Sequence, residues 1–300
     1  CFGFAGGRVP GILRPDMELL DPEHVRRLVR AALAEDIGAG DVTSEAVVPD
    51  SAIATGVMRA REPLVVAGLD VAAAVFNEVS DRVEVIRLVR DGQRVQTGAS
   101  LLRVRGPARA LLGAERVALN FVQRMSGIAT LTAQFVDAVQ GTGAKITDTR
   151  KTTPGLRALE KYAVRCGGGH NHRLGLFDMV LIKDNHLAVL KDAEPFPIAA
   201  ADARARAKHP SLEVEVECET LEQVEQALEA GADIILLDNM NVLQLRLAVQ
   251  RARGKARTEA SGGITLANVR AVAETGVDFI SIGALTHSAR AVDVALDLEP

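Results

Sequence analysis

Apolar residues are spaced along this chain in two different ways. From Ala52 to Arg105 they fall in short β-rich runs, at Ile53–Met58, Leu64–Val66, Val83–Val89 and Ser100–Val104, with turn chemistry at Asp91-Gly92 and Thr97-Gly98. A helix from Val71 to Val79 interrupts the runs and another, Glu23 to Ile37, precedes them; Asp21-Pro22 supplies its cap and first turn, and Gly38 its stop. Residues 17 to about 110 therefore predict a small α+β domain with a mostly antiparallel sheet. A long helical stretch from about Ala108 to Val139 leads out of it, with a break expected near Ser126-Gly127.

Beyond Gly143 the order becomes strand, loop, helix, repeated. Apolar runs ending in a polar residue occur at Ala144–Asp148, Asp178–Lys183, Leu212–Glu217, Ala232–Asp238, Ala256–Ser261 and Val277–Gly283. Helical segments stop at Gly231 and Gly276. Serial right-handed βα units predict a parallel sheet closed into an α/β barrel, with a doubly wound open sheet as the other arrangement that fits.

A parallel barrel forms its site at the C-terminal strand ends. Here those ends carry Asp148 with Arg150 and Lys151, Lys183 with Asp184, Glu217, Asp238 with Asn239, Ser261-Gly262-Gly263, and Gly283. Polar residues end many strands because loops are solvated, but six such ends in succession point to a site. Alternation places Glu213, Glu215 and Glu217 on one face, toward the barrel interior, where buried carboxylates need cationic partners such as Lys151 or Lys183. The glycines after the last two strands permit close approach of backbone amides to a phosphate. Thr149–Arg157 and Gly167–Arg173 are rich in donors, as a ligand bearing both carboxylates and phosphates requires. His170, His172 and His186 offer imidazoles, but nothing at close spacing completes a four-ligand zinc set, and imidazole also binds carboxylates.

Composition narrows the ligand. The 300 residues are 48% hydrophobic with a formal net charge of −4 and only 3% aromatic residues without Trp, which argues against a nucleic-acid surface and favours small-molecule chemistry. Three scattered cysteines suggest neither a disulfide framework nor a cysteine zinc site. No apolar run reaches membrane-spanning length, so a cytoplasmic protein is expected. Residues 1–16, rich in Gly and Pro, are expected to be a flexible extension.

Thr149–Arg157, Glu160–Val164 followed by Gly167–Arg173, Ile182–His186, Leu237–Asn239, Glu259–Gly263 and Gly283–Ser288 together resemble the quinolinate phosphoribosyltransferase family. Glu35–Thr43, Glu115-Arg116 and Ser126–Thr130 match it as well, and the resemblance runs from about Met17 to the C-terminus. It implies an N-terminal α/β sandwich domain over residues 17–127, onto which residues 287–300 pack back. An open α/β (TIM-like) barrel follows over 128–286, and the protein is a homodimer with shared sites. It also implies transfer of phosphoribosyl from phosphoribosyl pyrophosphate to quinolinate with decarboxylation, in NAD biosynthesis.

By the same resemblance, Arg116 (from a neighbouring subunit), Arg150, His172, Arg173 and Lys183 would bind quinolinate. Lys151, Lys183, Glu217, Asp238, Ser261, Gly262, Gly263, Gly283 and Ala284 would bind phosphoribosyl pyrophosphate. Lys151, Glu217 and Asp238 would be catalytic, and Glu217 and Asp238 would meet Mg²⁺, directly or indirectly. Rival readings are a nicotinate phosphoribosyltransferase, against which the number of basic residues speaks, a molybdenum-transport-associated relative of the same architecture, and a Schiff-base aldolase using Lys151 or Lys183.

Overall fold

The structure, a computed structural model, describes residues 20–299; the extension expected at residues 1–16 lies outside them. The chain begins with helices α1 (Pro22–Ile37) and α2 (Val42–Val47), strands β1 (Ile53–Ala60) and β2 (Leu64–Val65), and helix α3 (Leu69–Val79). Strands β3 (Glu84–Arg87), β4 (Arg94–Val95) and β5 (Ser100–Pro107) lead into the long helix α4 (Ala108–Ala138). Next come β6 (Lys145–Thr147), α5 (Arg157–Cys166), β7 (Val180–Ile182), α6 (Asp184–Val189), α7 (Pro197–Lys208), β8 (Val214–Cys218) and α8 (Leu221–Ala230). The last elements are β9 (Ile234–Asp238), α9 (Val242–Ala252), β10 (Arg257–Ser261), α10 (Val269–Ala273), β11 (Phe279–Ser281), α11 (Ala284–His287) and β12 (Val294–Glu299). Among the described residues no helix is long and apolar enough to cross a membrane.

One compact unit gathers Glu18–Ala133, Thr152–Gly168 and Leu285–Pro300. Its main sheet is antiparallel in the order β12-β1-β5-β3, and β2 pairs with β4 beside it. The C-terminal strand β12 thus returns to β1, from Thr55↔Glu299 to Ala60↔Val294. Val57, Met58, Leu102 and Val104 of the sheet and Val71, Val75 and Phe76 of α3 are buried, each contributing roughly 1.5–3 kcal/mol of hydrophobic stabilisation. Asp21 caps α1 as expected, its Oδ1 accepting the Glu23 N–H at 3.1 Å.

The break expected near Ser126-Gly127 is absent, and α4 is continuous through it. A Cβ at Gly127 would lie 2.0 Å from the Arg290 carbonyl oxygen, so the glycine serves close packing of backbone on helix rather than interruption of the helix. Ser126 reinforces the same stretch: its Oγ accepts from the Ala67 N–H at 2.9 Å and donates to the Ala67 carbonyl at 3.1 Å.

The other unit contains Gln134–Lys151 and Gly169–Ala284. Its six strands form a parallel sheet in the order β6-β11-β10-β9-β8-β7, so the first strand in sequence pairs with the last. That is barrel order, left open between β6 and β7, and a parallel bridge Thr147↔His170 lies at the open edge of β6. The strands are largely buried on both faces; β9 reads as the apolar run expected of a covered parallel sheet, whereas β8 carries Glu215 and Glu217 and β10 carries Arg257 and Glu259. The α8 stop is as expected: Thr220 and Gln223 form a capping box at its start, and Gly231 ends it in the left-handed region.

Candidate active site

Register brings the polar strand ends of the parallel unit to one rim. Ser261 is the Cα partner of Asp238, Leu237 of Cys218, and Ile182 of Val216, so Lys183, Glu217, Asp238 and Ser261 succeed one another across four neighbouring strands. Lys183 Nζ donates to Glu217 Oε2 at 2.5 Å, with the lysine side chain 43% exposed and the glutamate 11%. The partner expected for one interior glutamate is therefore found. Glu213 instead meets Arg257 at 2.5 Å, a pair that spacing alone did not suggest. Glu215, fully buried, faces His172 Nε2 at 3.0 Å rather than a lysine.

The segment from His170 to Arg173 is fastened to β6. The His170 N–H donates to the Ile146 carbonyl at 2.8 Å and the Asp148 N–H to the His170 carbonyl at 3.1 Å. Asp148, fully buried, accepts from Asn171 Nδ2 at 2.6 Å and from the His172 N–H at 2.9 Å. On the far side, Asp178 accepts from the backbone of Leu174 and Gly175, and Arg173 Nη1 donates to the Met179 carbonyl at 3.3 Å. Arg173 is buried; its guanidinium is held below its ordinary pKa by burial first and then by neighbouring Arg150, against the opposing pull of Glu215 and Asp178. Two guanidiniums brought close in a partly desolvated place have the charge and donors that carboxylates pair with.

The glycine loops are built for close approach. At Gly262 φ is +90°, and a Cβ there would stand 2.2 Å from Asn239 Oδ1, so the loop after β10 lies directly on the loop after β9. The Asn239 N–H donates to the Ser261 carbonyl at 2.9 Å, and Asn239 itself takes a positive φ of 54°. Because α10 begins only at Val269, Gly262 and Gly263 sit in a turn rather than at a helix start; Asn268 closes it, donating to the Gly263 carbonyl at 3.0 Å. Gly283 and Ala284 follow β11, whose neighbouring Ile282 N–H donates to the Thr147 carbonyl at 3.0 Å.

Lys151 is exposed at the last position of its segment of this unit, and Arg150 is half-buried. Arg116 is exposed on α4, in the antiparallel unit. The imidazoles weighed as zinc ligands have separate duties: His186 Nδ1 accepts the Lys183 N–H at 2.9 Å, at the start of α6, while His172 lies against Glu215. Reading by spacing left out Glu259, which is fully buried on β10 with Oε1 3.7 Å from His172 Nε2. Its signal was present: Glu259 stands in the middle of a strand of a covered parallel sheet, where a carboxylate is costly unless it has a task. Burial first, then the Glu215 carboxylate, push its pKa well above the usual range.

Comparison with known proteins gives the family and the fold. The quinolinate phosphoribosyl transferase C-terminal domain matches residues 128–297 and the N-terminal domain of the same name matches 41–126. A nicotinate-nucleotide pyrophosphorylase [carboxylating] of Mycobacterium leprae is 52% identical over 279 residues, covering 91% of this chain and 96% of that relative. The probable enzyme of that name from Bacillus subtilis is 42% identical over 274 residues, covering 91% and 93%. The solved nicotinate-nucleotide pyrophosphorylase of Francisella tularensis superposes with a TM-score of 0.88 at 41% identity, over 93% of this chain and 98% of that one. Matched along nearly its whole length, this chain belongs to the quinolinate phosphoribosyltransferase family.

Proposed function

We propose that this enzyme joins quinolinate to phosphoribosyl pyrophosphate and releases pyrophosphate and CO₂, giving nicotinate mononucleotide for NAD synthesis. What supports this reading is a buried Arg173 influenced by neighbouring Arg150, in the same parallel unit whose strand-end rim carries the carboxylates Glu217 and Asp238 and the Ser261-Gly262-Gly263 turn. Adjacent carboxylates of a pyridine dicarboxylate suit the two guanidiniums. His172 orders the same segment, and Lys183 is shared between the dicarboxylate and the pyrophosphate. Ser261, Gly262, Gly263, Gly283 and Ala284 take the 5′-phosphate, with Lys151 on the pyrophosphate side.

The pyridine nitrogen is a weak nucleophile, so the ribosyl carbon must gain oxocarbenium character as pyrophosphate leaves. Glu217 and Asp238 hold the ribose hydroxyls and stabilise that cation electrostatically. Each also offers carboxylate oxygen of the kind magnesium takes, and a bound Mg²⁺ would neutralise charge on the departing pyrophosphate. Once quaternised, the ring nitrogen's positive charge stabilises the in-plane electron pair left on C2 when the 2-carboxylate departs as CO₂, and that carbon then takes up a proton from water. Arg116, exposed on its helix, serves the site of a second subunit, which makes the working form a homodimer in the cytoplasm.

Purified protein mixed with quinolinate, phosphoribosyl pyrophosphate and Mg²⁺ should release CO₂ and the mononucleotide together. Mononucleotide formed from nicotinate, with none from quinolinate, would overturn the reading in favour of the single-carboxylate reaction. Arg173→Ala should raise the KM for quinolinate by at least about tenfold, the loss of a charge-assisted contact, and leave that for phosphoribosyl pyrophosphate nearly unchanged. Equal loss for both substrates would refute the division of roles.

A further inference from the structure

His172 is held at both ring nitrogens. Nδ1 accepts the backbone N–H of Arg173 at 2.8 Å, and Nε2 lies 3.0 Å from Glu215 Oε2. A ring nitrogen that accepts carries no proton, so the single proton of the neutral ring is on Nε2 and is donated to Glu215. Glu215 is fully buried, and its other oxygen has no hydrogen-bond partner. Glu259 stands behind, on the next strand but one, fully buried with both oxygens lacking a hydrogen-bond partner. Inward side chains of alternate strands share a layer in a barrel, which is why β8 and β10 bring these two carboxylates to the same ring.

The three side chains have the composition of a cation site, their ligand atoms all lying within 4.8 Å of one another. The ring's own bonds decide otherwise. With Nδ1 occupied as an acceptor, the proton sits on Nε2, the atom that faces the carboxylates, and a metal there would need a lone pair in its place. The arrangement is a positioning device for the imidazole.

We propose that Glu215 is a positioning residue for the dicarboxylate site, fixing the Nε2–H form and orientation of His172 and, through Nδ1, the backbone at Arg173, so that the guanidinium meets the substrate in a preset direction. The inference rests on the reading of quinolinate as substrate. An ionised acceptor holds the ring more tightly than a neutral one, and the Glu215 charge also favours the Arg173 cation that burial and Arg150 disfavour. Both effects come from one carboxylate that does not itself touch the substrate.

Three variants test it: Glu215→Ala removes the acceptor, Glu215→Gln keeps an acceptor oxygen, and Glu259→Gln alters only the group behind. The measurements are the KM for each substrate, the melting temperature, and the ¹⁵N shifts of the His172 ring, assigned by its loss in His172→Asn. Glu215→Ala should raise the KM for quinolinate by at least about tenfold, the loss of one charge-assisted hydrogen bond, and leave that for phosphoribosyl pyrophosphate within about twofold. Its ring should lose the Nε2–H signature, whereas Glu215→Gln and Glu259→Gln should retain it, and Glu215→Gln, which keeps the acceptor but not the charge, should recover only part of the quinolinate affinity.

An unchanged quinolinate KM in Glu215→Ala, or equal increases for both substrates, would overturn the proposal. If the alanine variant does not fold, Glu215→Gln decides: a ring proton moved to Nδ1, or a KM for phosphoribosyl pyrophosphate raised as far as that for quinolinate, has the same consequence. Failure of the functional reading looks different, since the unaltered protein would then form no mononucleotide from quinolinate at all.

Discussion

In the antiparallel unit, charges pair mostly in water: Arg61 with Asp297, Arg26 and Arg30 with Glu78, and Arg290 with Glu62 all keep at least one partner well exposed. The parallel unit instead carries Asp148, Glu215, Glu259, His172 and Arg173 below its surface. Exposed pairs of the first kind contribute about 0–1 kcal/mol each, while buried charge in the second demands partners and shifts protonation. Arg124 and Glu160 show that the first unit can bury a carboxylate when it supplies a full set of bonds, since Glu160 also accepts from Thr153 N–H and Oγ1. Among the described residues Glu215 and Glu259 combine full burial with carboxylate oxygens that have no hydrogen-bond partner, which distinguishes this part of the parallel unit from the solvated ion pairs of the other.

The sharpest way to break that comparison is at the rim itself. Asp238→Asn should lower kcat by roughly a hundredfold or more, as loss of electrostatic stabilisation at a developing cation does, with the fold retained by circular dichroism. A kcat within a few-fold of the original would remove Asp238 from the reaction.

The next effect is on stability and its sign is fixed by Glu259. Its folded pKa is raised, to about 7, so the folded state holds a proton that the unfolded chain has released; stability is full below the ordinary carboxylate range and falls as pH rises through that value. Replacing it by glutamine should remove this fall, so that the variant gains about 2 kcal/mol on the original between pH 5 and pH 8 in urea titrations. A pH-independent difference between the two would refute a neutral Glu259.

The smallest effect belongs to the surface. Glu62, held down to about 2 by the Arg290 guanidinium first and the Asp293 N–H next, contributes stability present above its unfolded pKa and lost as pH falls toward 2. Glu62→Gln should change stability at pH 7 by no more than about 1 kcal/mol, less in high salt. A larger loss would mean that exposed pairs here matter as much as buried ones.

Much of this architecture was legible before any coordinates, for identifiable reasons. The strand run Ala232–Asp238 is apolar from Ile234 to Leu237 because both faces of a parallel sheet are covered, and it and Ala256–Ser261 differ at their starts from β9 and β10 by only one or two residues. Short elements were missed: β4 is two residues long and α2 six, below the length at which periodicity speaks. Gly127 misled because a glycine inside a helical pattern has two meanings, interruption or contact, and only the approach of Arg290 from a distant part of the sequence selects the second. At the site, lysine was the obvious partner for an interior glutamate. That a histidine takes Glu215 depends on how the His170–Arg173 segment docks on Asp148, a long-range contact that local pattern does not encode.

The unpaired seam between β6 and β7 has one more implication. What spans it is the stretch that bonds to Asp148 on one side and to Asp178 and Met179 on the other, and this same stretch holds Arg173. A dicarboxylate gripped there acts as a rivet across the open joint, so saturation with quinolinate should protect the amides of residues 170–175 from hydrogen exchange more than those at the centre of the sheet.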